Sequence, residues 1–541
     1  MRKFLLGGAA FILMACAAEP TAELQPFGFS ASDYAAIVDA RFAANDWTAK
    51  TLPKLSEALS SGELSAQDLT QAYLDRIEAI DRAGPRLQAV LSLNPDAMAQ
   101  AKASDERREA GDSLGPLDGI PILFKDNIET LDPIATTAGS YALKNNVSER
   151  DSPLVAGLRA QGAVILGKTN LSQWANFRSN ESVSGWSALG GQVRNPHMLD
   201  RSPCGSSSGS GAAAAASLAA GTVGTETNGS IICPSNVNGV VGFKPTVGLV
   251  SQQYIVPISE TQDTAGPMTK TVRGAAMMLG AMDNQDVDYA AALDAKSLAG
   301  KRVGVLRFAE GSNPDIIERF NTALEAMEAA GGILVEIEKS TRDVENYGQK
   351  SYDVLLYEFK AGMDDYLANA VPAVSPRNLE QLIEFTANEP REMTVFDHSI
   401  FDAAQAKGPL TDEVYLTAKS DVTRGTGAGG IDKMMAENNV DMLVSPSGPV
   451  ASRIDPVNGD VWPSWAGAGN LAAVAGYPHI TVPMGDVHGV PIGFSIMAGK
   501  GQDADVLSYG YAFETIAGQR VDPKYLRSAE DRPELAAAME P

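Results

Sequence analysis

The sequence predicts an α/β protein in which a large mixed β-sheet is covered by helices on both faces, forming a single catalytic domain. Short apolar runs such as "PILF" (121–124) and "AVIL" (163–166) have the length and residue types of buried strands. Segments with helical spacing alternate with these runs, which is typical of α/β architecture. A composition of 44% hydrophobic and 20% charged residues fits a globular protein with a large core.

Several helices can be placed from their boundary signals. Ser65, with Asp68 three residues later, resembles a capping box and predicts a helix start. Pro95 and Gly111 bound a polar segment that predicts a surface helix. The alanine run 212–216 predicts a tightly packed buried helix, and 340–440 predicts a helical section without a chemical signature.

The first sixteen residues, "MRKFLLGGAAFILMAC", predict an export signal. Arg2 and Lys3 precede an apolar run that is shorter than the roughly 20 residues of a membrane span. Cys16 at the end of that run favours a lipoprotein, with lipid attached to Cys16; a soluble secreted form is the alternative. We expect an exported protein, in the periplasm or on the outer cell surface, with residues 17–50 as an extension or tether, the catalytic domain over 51–530 and a tail over 531–541.

The net charge and the histidine and cysteine content bear on which ligands and partners the protein can bind. The net charge of −24 disfavours binding to nucleic acid, whose phosphates an acidic surface repels. The four histidines are scattered and no His/Cys cluster has metal-ligand spacing, so we expect no metal and no cofactor. Spacing leaves the pairing of Cys204 and Cys233 open, and we favour two small buried thiols.

Two familiar motifs conflict in this chain. "GAVILGKT" (162–169) has the spacing of a phosphate-binding P-loop, but its four variable residues form the apolar strand itself and leave no open loop. "GSSSG" (205–209) fits a nucleophile elbow, but it follows a polar loop, whereas an elbow serine directly follows a buried strand. We therefore reject the nucleotide site and regard a Ser-His-Asp hydrolase as weakly supported.

A buried lysine is the alternative base. Lys125 ends the apolar run "PILF", and burial lowers a lysine pKa enough for the neutral amine to accept a proton. Spacing alone equally fits a strand-end surface lysine paired with Asp126. The stretch "GTETNGS" (224–230) predicts a tight turn that aims backbone N–H groups inward, as in an oxyanion hole, or else a plain glycine-rich turn.

Taken together, these blocks resemble the amidase-signature family over nearly all of residues 51–530. The matching blocks are "GIPILFKDNI", "TTAGS", "GAVILGKTNLSQWANF", "SPCGSSSGSGAA", "GTETNGSIICPSNVNGVVGFKPTVGLVS", "QDTAGPM" and "AGYPHITVPMG". The resemblance implies the fold of that family and hydrolysis of carboxamides without a cofactor.

The resemblance also implies the site residues. Lys125 is the general base, Ser206 the bridging serine in a cis peptide with Gly205, and Ser230 the nucleophile. The oxyanion hole is formed by the backbone N–H groups of residues Thr227, Asn228, Gly229 and Ser230. Ser207 and Thr225 match supporting positions, for which a structural role is an equal alternative.

Details such as "LSQWANFRS" and "SIICPSNVNGVVG" are most similar to peptide amidases, which remove the C-terminal amide of peptides. Where many family members have an arginine, this chain has Cys233, which favours a neutral or peptide-like acyl group. We expect a monomer that acts on a small-molecule or peptide amide. The alternatives are a broad-specificity acyl or aryl amidase or esterase, and a glutamyl-tRNA amidotransferase A-type subunit, which the export signal disfavours.

Overall fold

The computed structural model describes residues 46–283, 285 and 287–539. The predicted export signal, the predicted lipidation site Cys16 and most of the predicted extension lie outside these residues. None of the helices in the described ranges is long and apolar enough to cross a bilayer.

A mixed sheet of eleven strands forms the centre of the described chain. In chain order the strands are β1 (Val90–Leu93), β2 (Pro121–Lys125), β3 (Val164–Thr169), β4 (Trp186–Ser187), β5 (Gly191–Gln192), β6 (Gly221–Glu226), β7 (Val241–Lys244), β8 (Thr264–Thr269), β9 (Arg302–Leu306), β10 (Ile333–Ile337), β11 (Met442–Pro446), β12 (His479–Val487) and β13 (Val490–Met497). Strands β4 and β5 pair separately.

The sheet order is β1-β3-β2-β6-β8-β7-β12-β13-β11-β9-β10. Strands β3, β2 and β6 are mutually parallel, as are β11, β9 and β10, while the strands between these two groups pair antiparallel. The carboxyl ends of β2 and β6 therefore meet at one edge of the sheet, where open α/β sheets place their ligands.

Helices cover both faces of this sheet, as the sequence predicts. They are α1 (Leu52–Ser61), α2 (Ala66–Arg76), α3 (Ala97–Ala110), α4 (Pro153–Ala160), α5 (Ser208–Ala215), α6 (Ile232–Asn238), α7 (Val272–Met282), α8 (Pro314–Ala329), α9 (Tyr347–Ala368), α10 (Leu379–Asn388), α11 (Ser399–Gln405), α12 (Glu413–Thr426), α13 (Asp432–Asn438), α14 (Gly469–Ala475), α15 (Asp503–Ala517) and α16 (Pro533–Met539). The last of these lies within the predicted tail.

The boundary signals place their helices correctly. The Ser65 side chain accepts a hydrogen bond from the Asp68 N–H, as an N-cap does. Helix α3 ends before Gly111, whose φ of 82° favours glycine. All residues of α5, which carries the alanine run, are buried.

The P-loop-like stretch is structural. Gly162 has a positive φ of 82° just after α4, and the strand that follows continues through Thr169. Lys168 is buried within it, where its amine donates to Ile128 O and to Thr136 Oγ1. No open loop is left to hold a phosphate.

The helical section predicted at 340–440 corresponds to α9–α13 and has its own apolar cluster, to which the loop after β3 contributes Trp174 and Phe177. Trp174 packs edge-on against Phe401 with ring centroids 5.8 Å apart. A buried ion pair also joins the loop after β3 to the helical section. Arg178 Nη1 lies 2.9 Å from Glu392 Oε2, and both side chains are fully buried.

Removing one member of that pair leaves an uncompensated buried charge. We expect Arg178→Met to lower the free energy of unfolding by about 3–5 kcal/mol. Chemical denaturation followed by circular dichroism measures this change. The control is Arg424→Met: Arg424 is 71% exposed in its pair with Asp421, so its loss should cost under about 1 kcal/mol. Equal costs for the two variants would contradict a structural role for the buried pair.

Candidate active site

Lys125 ends β2 in the interior, with no exposed surface. Its Nζ lies 2.8 Å from Ser206 Oγ, 2.8 Å from Thr225 Oγ1 and 3.3 Å from Thr225 O. Asp126 instead accepts hydrogen bonds from Thr137. The alternative of a surface lysine paired with Asp126 is therefore wrong.

Burial sets the protonation of this amine. Desolvation lowers the pKa of Lys125 to about 7, while the negative charges of Asp263 and Glu226 oppose the shift. A lysine in water has a pKa near 10.5 and is almost wholly charged at neutral pH. Here a large fraction of the amine is neutral at pH 7 and available as a base.

Thr225 and Ser207 fix the surroundings of the amine. Thr225 Oγ1 also accepts from Asn127 Nδ2, at 3.0 Å. Ser207 Oγ donates to Thr225 O at 3.0 Å and accepts from the Thr225 N–H at 3.2 Å. The two positions thus join the end of β6 to the start of α5, next to Lys125.

Ser206 and Ser230 lie on adjacent backbone segments. The Gly205–Ser206 peptide bond is cis, as the resemblance implies. The Ser207 N–H donates to Ser230 O at 3.2 Å, and the Ser172 N–H donates to Ser206 O at 3.1 Å. Ser206 is fully buried and Ser230 nearly so. The contacts of the described residues do not include a hydrogen bond between the Ser206 and Ser230 hydroxyls.

Residues 227–230 form the predicted turn between β6 and α6. Gly229 has a φ of 86°, which favours glycine, and its carbonyl accepts from the Cys233 N–H. Across residues 46–283, 285 and 287–539, no carbonyl or side chain accepts a hydrogen bond from the N–H groups of Thr227, Asn228, Gly229 or Ser230. Such donors at the wall of a cavity are free to bind an anionic oxygen.

A cavity of about 270 Å³ opens beside these residues. Gly205 and Gly229, which precede Ser206 and Ser230, both line it. Sequence reasoning did not find one part of its lining, a loop that contributes Asp460, Trp462 and Trp465. The signal was present in the sequence, because that loop holds two of the five tryptophans within four residues.

The cavity lining also holds a disulfide, which corrects the expectation of two free thiols. Cys204 and Cys233 are bonded, with their Cα atoms 5.9 Å apart. The two residues are 29 positions apart, and spacing alone gave no sign that α6 returns Cys233 to the segment before Ser206. The bond ties the Ser206 segment to the Ser230 turn.

Neither Trp186 nor a histidine belongs to the lining of this cavity. Trp186 is buried against Phe396, with ring centroids 5.1 Å apart, as a core residue. The cavity lining contains no histidine, and His479 is buried at 2.7 Å from Ser495 Oγ. Within the described ranges, no group of three or more His, Cys, Asp or Glu side chains is arranged to hold a metal ion.

The fold and the site define a hydrolase that acts on amide bonds. The family model described as Amidase matches residues 68–507, and the chain belongs to that family. It is 43% identical to native peptide amidase from Stenotrophomonas maltophilia, with a TM-score of 0.83 over 88% of this chain and 98% of that one.

Two curated relatives cover a similar share of the chain. A putative amidase of Arthroderma benhamiae is 36% identical over 86% of this chain and 81% of its own length. The A-type subunit of the glutamyl-tRNA(Gln) amidotransferase of Halorhodospira halophila is 33% identical over 86% of this chain and 97% of its own length.

Loss of the disulfide should destabilise the protein through the unfolded state, because the bond closes a loop of 29 residues. We expect Cys204→Ser/Cys233→Ser to lose about 3–4 kcal/mol of unfolding free energy, measured by denaturation under non-reducing conditions. The same denaturation of the wild type with a reductant present is the control and should give the same loss. No change in either case would mean that the two sulfurs are not bonded in the folded protein.

Proposed function

We propose that this protein is a serine amidase that removes the C-terminal amide of peptides and releases ammonia. The observation that carries the proposal is the buried Lys125 amine, hydrogen-bonded to Ser206 and with a pKa near 7. The likeness to a peptide amidase over nearly all of both chains supports the substrate class.

In the proposed mechanism Lys125 is the general base. A neutral amine has two N–H donors and one lone pair. Thr225 offers two acceptors within 3.3 Å of Nζ, so the lone pair is left for the Ser206 hydroxyl. Ser206 then donates its proton to Lys125 as it accepts the proton of Ser230.

Ser230 Oγ attacks the amide carbonyl carbon, and the oxyanion is stabilised by the N–H groups of residues 227–230. The proton returns through Ser206 to the leaving nitrogen, the C–N bond breaks and ammonia departs. Water then hydrolyses the acyl-enzyme by the same proton path. The relay requires the Ser206–Ser230 hydrogen bond to form with substrate bound, and catalytic hydrogen bonds commonly tighten in this way.

We also propose that the enzyme works outside the cytosol. The Cys204–Cys233 disulfide supports this location, because disulfides persist mainly in oxidising compartments. An exported enzyme is physically separated from tRNA, which disfavours the alternative of an amidotransferase component despite the sequence similarity.

Substrate class is tested by ammonia release from N-acetyl dipeptide amides, amino-acid amides, aliphatic amides and aryl amides. We expect the highest kcat/KM with dipeptide amides, and no cleavage of internal peptide bonds. A higher kcat/KM with aliphatic or aryl amides would favour the broad-specificity amidase instead.

The triad is tested by substitution. We expect Ser230→Ala to lose about 10⁴-fold or more in kcat, and Lys125→Met and Ser206→Ala about 10²–10⁴-fold each, with the folded state retained by circular dichroism. Lys168→Met is the matched control, because Lys168 is equally buried but hydrogen-bonds away from the serines. A folded Lys125→Met variant with near-wild-type turnover would exclude the assigned base.

The pH profile tests the protonation state. Since the neutral form of Lys125 is the active one and burial lowers its pKa to about 7, kcat/KM should fall tenfold per unit below pH 7 and level off above it. Initial rates between pH 5 and 9 measure the inflection. A kcat/KM that still rises tenfold per unit at pH 9 would show that the amine keeps its ordinary pKa.

A further inference from the structure

The lining of the cavity beside Ser230 includes several acceptors of hydrogen bonds. Its lining includes two carboxylates, Asp460 and Glu226, and no Lys, Arg or His. Glu226 is 1% exposed; its Oε2 accepts from the N–H groups of Ile231 and Ile232, whereas its Oε1 has no partner in the described chain. Oδ1 of Asn176, also in the lining, is likewise buried without a partner there.

Asp460 is held in place without a counter-ion. Its carboxylate accepts from the N–H of Ser184 at 2.9 Å and from the Ser184 hydroxyl. Burial raises the pKa of Asp460, while hydrogen bonds from Ser184 and Trp462 oppose the rise. Within the described ranges no Lys, Arg or His comes within ion-pair distance of this carboxylate.

Two aromatic side chains from the same loop as Asp460 also line the cavity. Trp462 and Trp465 meet edge to face with ring centroids 5.9 Å apart, and Trp465 is 48% exposed. Indole faces attract cations as well as apolar surface. The guanidinium of Arg342 is not part of the lining; it lies 3.1 Å from Oδ1 of the lining residue Asn470 and over the ring of Tyr347.

We propose that this cavity binds a cationic group of the amide substrate, an ammonium or a guanidinium, with Asp460 as its counter-ion and Trp465 beside it. Such a group carries three or five N–H donors and no acceptor, which matches the Asp460 carboxylate and the unpartnered Glu226 Oε1 and Asn176 Oδ1. The proposal rests on the proposed amidase function and specifies its substrate class. The cation is either the free N-terminal ammonium of the substrate, which in an amino-acid amide is its α-ammonium, or a basic side chain of the residue whose amide is cleaved.

Two substrate pairs separate these sources. N-acetyl-arginine amide is compared with N-acetyl-citrulline amide, in which a neutral urea replaces the guanidinium. Leucine amide is compared with 2-hydroxy-4-methylpentanamide, in which a hydroxyl replaces the ammonium. We expect the cationic member of at least one pair to have a kcat/KM about tenfold higher, since charge-assisted hydrogen bonds are roughly twice as strong as neutral ones. The pair that shows the preference identifies the source of the charge.

Asp460→Asn should bring that ratio close to one, whatever it does to the rate on the neutral substrate. The matched control is Asp455→Asn: Asp455 lies in the same loop, where it caps Val457 and Asn458 outside the cavity lining, and its loss should leave the ratio unchanged. A ratio at or below one for both pairs in the wild type, or an unchanged ratio in Asp460→Asn, would overturn the proposal.

Binding to the catalytically inactive Ser230→Ala variant gives a readout independent of turnover. Tryptophan fluorescence titrations with both pairs should show the same preference, because Trp462 and Trp465 line the cavity. Ammonia release without a cationic preference would contradict the cation site alone. A binding preference without ammonia release would contradict the amidase function alone.

Discussion

The site depends on one constraint, the removal of the Lys125 amine from water. A charged amine inside the protein carries a desolvation penalty that two nearby carboxylates, Asp263 and Glu226, only partly offset. Its pKa therefore falls to about 7, and a residue that is normally an acid can act as a base at neutral pH. The polar contacts of the amine come from Ser206 and Thr225, so its depth in the sheet and its hydrogen-bond partners together define the chemistry.

The order of the strands in the sheet explains why Lys125 lies in the interior. Strands β2 and β6 are parallel neighbours, with Phe124 opposite Val223, so Lys125, one residue after Phe124, and Thr225, two residues after Val223, meet at the carboxyl edge. Strands β3 and β1 lie on the far side of β2, and β8 lies on the far side of β6. Neither β2 nor β6 is therefore an edge strand, and both strand ends lie in the interior. The disulfide then holds the Ser206 segment to the Ser230 turn. Positioning thus comes from rigid elements, as a site of this geometric precision requires.

Local sequence was enough to predict features that depend on neighbouring residues. The strand ending at Lys125, the helix start at Ser65 and the rejection of a P-loop at Lys168 all rest on contiguous patterns, and the structure confirms them. The family resemblance, not residue spacing, supplied Ser206 and Ser230. Features made by distant segments were missed: Asp460 reaches Ser184 across 276 positions, and the disulfide depends on the path of α6. No local pattern encodes such contacts.

The negative charge of the cavity opposes the neutral form of the Lys125 amine. The negative charge of Glu226 raises the pKa of Lys125 and so favours the inactive ammonium form. A cation bound at Asp460, as proposed, would partly cancel that negative potential and return the balance towards the neutral amine. Occupancy of the cavity would then favour the base form of Lys125 at the moment when substrate lies against Ser230. Specificity for a cation and activation of the base would thus be two effects of a single electrostatic interaction.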